Sequence, residues 1–191
     1  MFALLMAMSD GSSGEKADVI EDCISRIGNG DKEALAELYR ETHAAVYGFA
    51  LSLLKNKQDA EDVLQDVYIQ VWKNAGGYQA KGKPLAWLFT ITRNLSLMAL
   101  RQRGRTVSVA PEDWQTMFAD EPEVNHEDRL MLGALMEILS DEERQIVVLY
   151  AMTGLKHREI AALLDLGLPT VLSKYSRAVK KLRNALKEAD R

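Results

Sequence analysis

Residues 59–72 read Asp59-Ala60-Glu61-Asp62-Val63-Leu64-Gln65-Asp66-Val67-Tyr68-Ile69-Gln70-Val71-Trp72. Val63, Leu64, Val67, Tyr68, Val71 and Trp72 recur at the spacing of one helical face, so the stretch predicts an amphipathic helix. Asp59 is placed to cap it, and Asp59, Glu61 and Asp62 suit the positive end of its dipole. Asn56 to Gln58 read as a turn before it, and Gly76-Gly77 ends it. Upstream, Asp31 caps a helix with Leu35, Leu38, Tyr39, Val46, Phe49, Leu53 and Leu54 inward. Downstream, a loop through Lys81, Gly82 and Lys83 leads to Pro84, a good first helical residue. The helix that follows carries Leu85, Trp87, Leu88, Ile91, Leu95 and Met98 and stops near Gly104. Residues 29–104 thus predict one small helical domain, preceded over 1–28 by a leader and a first helix. Met1 to Met8 are apolar but too short, and lack the basic flank, for a secretory signal or a spanning helix. They read as a frayed leader or an early start codon, with Met6 and Met8 as alternative starts.

A second helical domain is predicted over 127–191. Ser140-Asp141-Glu142-Glu143 is a capping box opening a helix with Ile146, Val147, Leu149 and Tyr150 as its apolar residues. Gly154 closes that helix. A short helix from about Lys156 to Leu164 follows, then the turn Asp165-Leu166-Gly167-Leu168. Pro169 starts a longer helix with Val171, Leu172, Tyr175, Val179, Leu182 and Leu186. Helix, tight turn and second helix with a basic C-terminal half is the helix-turn-helix pattern; an αα-hairpin of any bundle gives the same apolar spacing. The fold class is therefore all-α, two small helical domains joined by a flexible acidic linker over 105–126, the C-terminal one a helix-turn-helix. Trp114 and Phe118 lie four apart inside the linker, either as a short amphipathic turn that docks or as ordinary packing residues.

The 191 residues carry 24 Lys+Arg against 28 Asp+Glu, but unevenly. From Ile91 to Ala110 there are four arginines and no acid, from Pro111 to Asp128 seven acids and no Lys or Arg, from Leu166 to Lys187 six bases and no acid. Two basic stretches around an acidic one attract polyanions even on an acidic chain. The 47% of hydrophobic residues excludes a chain disordered throughout. Cys23 is the single cysteine, so intrachain disulfides and a cysteine-rich zinc site are excluded, and a cytoplasmic location is the expectation. His43, His126 and His157 are scattered and no glycine-rich phosphate loop occurs. No catalytic residue, metal site or cofactor is expected. His157, beside Arg158 and Glu159, reads as an exposed helix residue.

Gly30 to Leu35, Glu37-Leu38-Tyr39, Asp59 to Tyr68, Val71-Trp72 and Ala86 to Asn94 closely resemble the region-two domain of bacterial sigma factors. Leu139-Ser140 through Glu159-Ile160-Ala161 to Lys181-Leu182-Arg183 resembles their region-four domain. Two such domains and a tether in a short chain resemble the extracytoplasmic-function (ECF, group four) class of the sigma-70 family. The segment from Asp59 to Tyr68, with Ala86 to Asn94, is the specific part.

The resemblance implies a protein that binds core RNA polymerase and directs it to promoters, through the clamp helices and the flap. Asp59, Glu61, Asp62, Gln65 and Asp66 would dock on the clamp helices, carboxylates suiting an Arg-rich partner. Tyr78, Gln79, Lys81, Lys83, Arg93, Asn94, Arg101 and Arg105 would open and hold the minus-ten element. Asn94, Met98, Arg101 and Arg105 share one helical face. Trp87 reads as a core residue. Thr170, Ser173, Lys174, Arg177, Lys180 and Lys181, with Arg183, would meet the minus-thirty-five element. Leu172 and Tyr175 are either packing residues or apolar contacts to a thymine methyl. An anti-sigma factor is the implied inhibitory partner, and membrane insertion is not expected. A helix-turn-helix regulator acting without core polymerase is the alternative. Asp165 stands where the family often has Gly, Leu172 where a base is frequent, and Met98 where Asp is common; Gly167 and Pro169 rearrange the turn.

Overall fold

The computed structural model describes residues 13–80, 82–103, 114 and 126–189. Among them are eight α-helices, α1 Ser13–Gly28, α2 Lys32–Leu54, α3 Lys57–Asn74, α4 Pro84–Arg103, α5 His126–Glu137, α6 Asp141–Thr153, α7 His157–Leu164 and α8 Leu168–Ala189. A 3-10 turn, Ala75–Gly77, follows α3. No strand occurs among the described residues.

The predicted starts hold at α2, where the Asp31 carboxylate accepts from the Ala34 N–H at 3.1 Å, and at α6, where Ser140 and Glu143 form both halves of the capping box. At α3 the cap is one turn earlier than predicted. Asn56 is the capping residue and accepts from the Asp59 N–H at 3.0 Å. Lys55 breaks the chain direction at φ 53, so the turn is only two residues long. Asp59 thereby becomes a first-turn residue, and its side chain is buried. Asp165 holds the left-handed conformation (φ 58, ψ 43) at the end of α7, with its N–H on the Ala161 carbonyl. An Asp tolerates that region better than most residues, so the turn survives without the usual glycine.

Helices α1 to α4 pack around one another, with α2 central. The end of α1 lies against the 3-10 turn so closely that a Cβ on Gly28 would stand 3.2 Å from the Ala75 carbonyl oxygen. Along α4 the buried stripe is Leu85, Leu88, Phe89, Thr92 and Ser96. Thr92 and Ser96 satisfy their hydroxyls on the Leu88 and Thr92 carbonyls. Met98, on the face shared with Asn94 and Arg101, is half exposed.

Helices α6, α7 and α8 pack on one another, and α6 also packs on α2. Successive helical residues point 100° apart, so four buried in a row leave no solvent face. Both Ala44 to Leu51 and Ile146 to Leu149 are buried throughout. Each helix covers the face its own domain would leave open on the other, and the buried apolar residues of both domains form one cluster. Lys55 and Asp141 pair across this junction at 2.6 Å, and Lys83 and Glu159 at 4.0 Å.

Candidate functional site

Helix α3 shows solvent an acidic stripe. Glu61, Asp62, Gln65 and Asp66 are exposed, and Ile69, 49% exposed, extends it by one turn. Asp59 does not share this surface. Val63, Val67, Tyr68 and Val71 fill the opposite, buried face. The Tyr68 hydroxyl lies 2.7 Å from Thr42 Oγ1 on α2, and burial pushes its pKa up. This locks the rotation of α3 and so fixes which residues face outward.

The second group surrounds the start and outer face of α4. Tyr78 is half-buried with its ring 5.0 Å from that of Trp87, so both serve as packing at the loop base. Gln79 and Lys83 are exposed. Arg93 is half-buried, while Asn94, Met98 and Arg101 follow one another along an exposed edge. Lys81 and Arg105 lie outside the described residues, as do Phe118 and the rest of the expected linker except Trp114 and His126, the latter the first residue of α5.

The third group is on α8. Thr170, Ser173, Arg177, Lys180 and Lys181 are exposed, opposite a buried stripe of Val171, Ala178 and Leu182. Two of the expected lysines are held by glutamates of α6: Lys174 pairs with Glu142, and Lys181 Nζ lies 2.6 Å from the Glu143 carboxylate. Burial acts to raise the Glu143 pKa, but the Lys181 ammonium and the Ser140 N–H and hydroxyl outweigh it and hold the carboxyl below the usual range. Arg177, Lys180 and Arg183 are exposed.

Several contacts around these groups had no local signal in the sequence. Tyr150, His157 and Tyr175 form a triangle with all three ring centroids 4.7 Å apart. This corrects the reading of His157 as an exposed residue, and half-buried Tyr175 packs in the same triangle. Burial lowers the His157 pKa, and its Nε2 is buried with no hydrogen-bond partner among the described residues. Trp114 is fully buried, with the Arg144 guanidinium 4.7 Å from its ring centroid. That guanidinium also donates to the Met136 and Leu139 carbonyls at 2.8 and 2.9 Å, tying α6 to the end of α5. Trp114 and Arg144 are 30 positions apart, and Glu143 and Lys181 38, so only the folded chain brings them together.

A helical domain with an outward acidic stripe, followed by a helix-turn-helix with a basic outer face, is the arrangement of a sigma-type initiation factor. Two family models match in that order: Sigma-70 region 2 over residues 38–106 and Sigma-70, region 4 over residues 129–182. The chain belongs to the sigma-70 family, and its relatives are of the ECF class. It is 37% identical over 166 residues to the ECF RNA polymerase sigma factor SigE of Mycolicibacterium smegmatis, a match covering 82% of this chain and 64% of that protein. It is 28% identical over 178 residues to ECF RNA polymerase sigma factor SigK of Mycobacterium ulcerans, covering 90% and 95%. Among solved structures, the sigma factor RpoE in complex with the anti-sigma factor NepR from Bartonella quintana superimposes with a TM-score of 0.59 at 26% identity, over 82% of this chain and 98% of that one. CnrH in complex with the cytosolic domain of CnrY shares the fold, with a TM-score of 0.60 at 22% identity over 91% and 99%. Among the described residues, no helix is long and apolar enough to cross a membrane.

Proposed function

We infer that this protein binds core RNA polymerase and confers promoter choice on it, with no reaction catalysed by the chain itself. The observation that carries the reading is the order of two surfaces on one chain: the acidic stripe of α3 in the region-two match and the basic face of α8 in the region-four match. Glu61, Asp62, Gln65 and Asp66 suit a cationic helix pair of the polymerase, with charge-assisted hydrogen bonds setting register. Buried Asp59 supports the start of α3 rather than docking. Asn94 and Arg101, with Lys83 at the helix start, face the minus-ten strand. Arg neutralises phosphate, and Asn holds a base edge or backbone. Thr170, Ser173, Arg177 and Lys180 face the upstream duplex. The polymerase supplies the chemistry, which places the protein in the cytoplasm. An anti-sigma factor covering these surfaces is the proposed inhibitor, by likeness to the RpoE–NepR complex.

The test is run-off transcription on a genomic promoter library with purified core polymerase. The protein should confer defined start sites. The double substitution Asp62→Lys and Asp66→Lys should weaken co-purification with core about tenfold or more while the helical fold persists, since both side chains are exposed. DNA binding with no association with core would replace this reading with that of a free-standing regulator.

A further inference from the structure

The outer face of α8 is not uniformly polar. Leu168 and Leu172, four residues and one turn apart, are 41% and 47% exposed. Pro169, Thr170 and Ser173, between and beside them, are exposed and carry no charge. Lys174 is drawn off this end of the helix by its ion pair with Glu142 and is only half-exposed. The first cation on the outer face is therefore Arg177. The first turn and a half presents two leucines and two hydroxyls, and the positive charge begins beyond them.

No acid occurs from Leu166 to Lys187, so the face draws a polyanion. The N-terminal residues of a recognition helix meet base edges in the major groove, while its later cations meet phosphates. The major groove offers a leucine one apolar group, the C5 methyl of thymine. We propose that Leu168 and Leu172 read thymine methyl groups in the upstream promoter element, so that this protein specifies that element by methyl contact, with Arg177 the first residue able to pair with guanine. The proposal rests on α8 being the recognition helix of a promoter-binding protein.

Deoxyuridine tests it, because it removes the methyl and keeps the base pair. Holoenzyme assembled with the full chain is titrated against its selected promoter fragment. It is titrated in parallel against fragments with each upstream thymine replaced singly by deoxyuridine. Burying one carbon group of this size corresponds to about a three- to fivefold change in affinity, and that loss is expected at one or two thymines. Leu172→Ala should lower affinity for the thymine fragment by a similar factor and abolish the deoxyuridine penalty at one position; Leu168→Ala should do so at the other. Both side chains are exposed, and the wild-type titration needs no variant. Equal affinity for thymine and deoxyuridine fragments overturns the proposal, as does a selected element without thymine or a Leu172→Ala protein with its penalty intact. Holoenzyme that selects no promoter at all overturns the functional reading instead.

Discussion

His157 is half-buried between two tyrosines, and its desolvated imidazole is easier to keep neutral than to charge. Its pKa in the folded chain lies below the ordinary histidine value, which the unfolded chain retains. Between the two values the unfolded chain binds more protons, so stability rises with pH there. The contribution is fully present above the ordinary value near 6.5. It is lost as pH falls through the lower, folded one. Melting at pH 7.5 and 5.5 should show the loss in the wild type and a smaller one in His157→Phe, which keeps the ring. An identical pH dependence in the two proteins would remove His157 from this role. The same ring packs against Tyr175 on α8, so protonation acts on the seating of that helix. Cys23, a core residue, is likewise kept neutral, with the opposite shift: burial and the Glu37 carboxylate push its thiol up to about 11, which makes it a poor nucleophile.

At the scale of the element, α8 sorts its cations by partner. Arg177 and Lys180 stand on the outer face, whereas Lys181 reaches the buried Glu143 of the capping box. Each phosphate neutralised adds about 1 to the slope of log affinity against log salt. Arg177→Ala should therefore lower that slope by about 1 with little change in melting temperature. Lys181→Ala should do the reverse. It leaves a buried carboxylate without its charge partner and costs about 1–3 kcal/mol in urea unfolding, with the slope nearly unchanged. Equal slope losses would place both lysine and arginine on phosphate. Here the limit of sequence reading is visible. The apolar period of α3, the capping box of α6 and the αL glycine at 154 are local chemistry, and all were legible. That Lys181 pairs with Glu143 is a contact across 38 positions, which charge counting along the chain does not show. Asp59 fails likewise: its acidity was visible, but its burial follows from a cap at Asn56 that only the path of the chain after Lys55 reveals.

For the whole molecule, the question is what holds two separately recognisable helical domains together. The ion pairs across the junction are partly exposed, and such pairs contribute about 0–1 kcal/mol each. They set register and cannot be the main attraction. The apolar junction of α2 with α6 is, because neither helix keeps a solvent face over Ala44 to Leu51 or Ile146 to Leu149. Lys83, at the start of α4, pairs with Glu159 of α7 in this arrangement, so the loop assigned to the minus-ten element and the helix-turn-helix lie side by side. Trp114 fastens the stretch between the domains to α6. It is fully buried and stacks on Arg144, which also ties α5 to α6. Removing a fully buried indole leaves a cavity and strips one face from a guanidinium that burial already disfavours. Trp114→Ala should cost about 3–5 kcal/mol in urea unfolding. Trp114→Phe should recover part of that by refilling the space. A cost under about 1 kcal/mol, within the range of ordinary surface substitutions, would show that the stretch between the domains is not fastened at this point, and that the α2–α6 junction alone keeps them together.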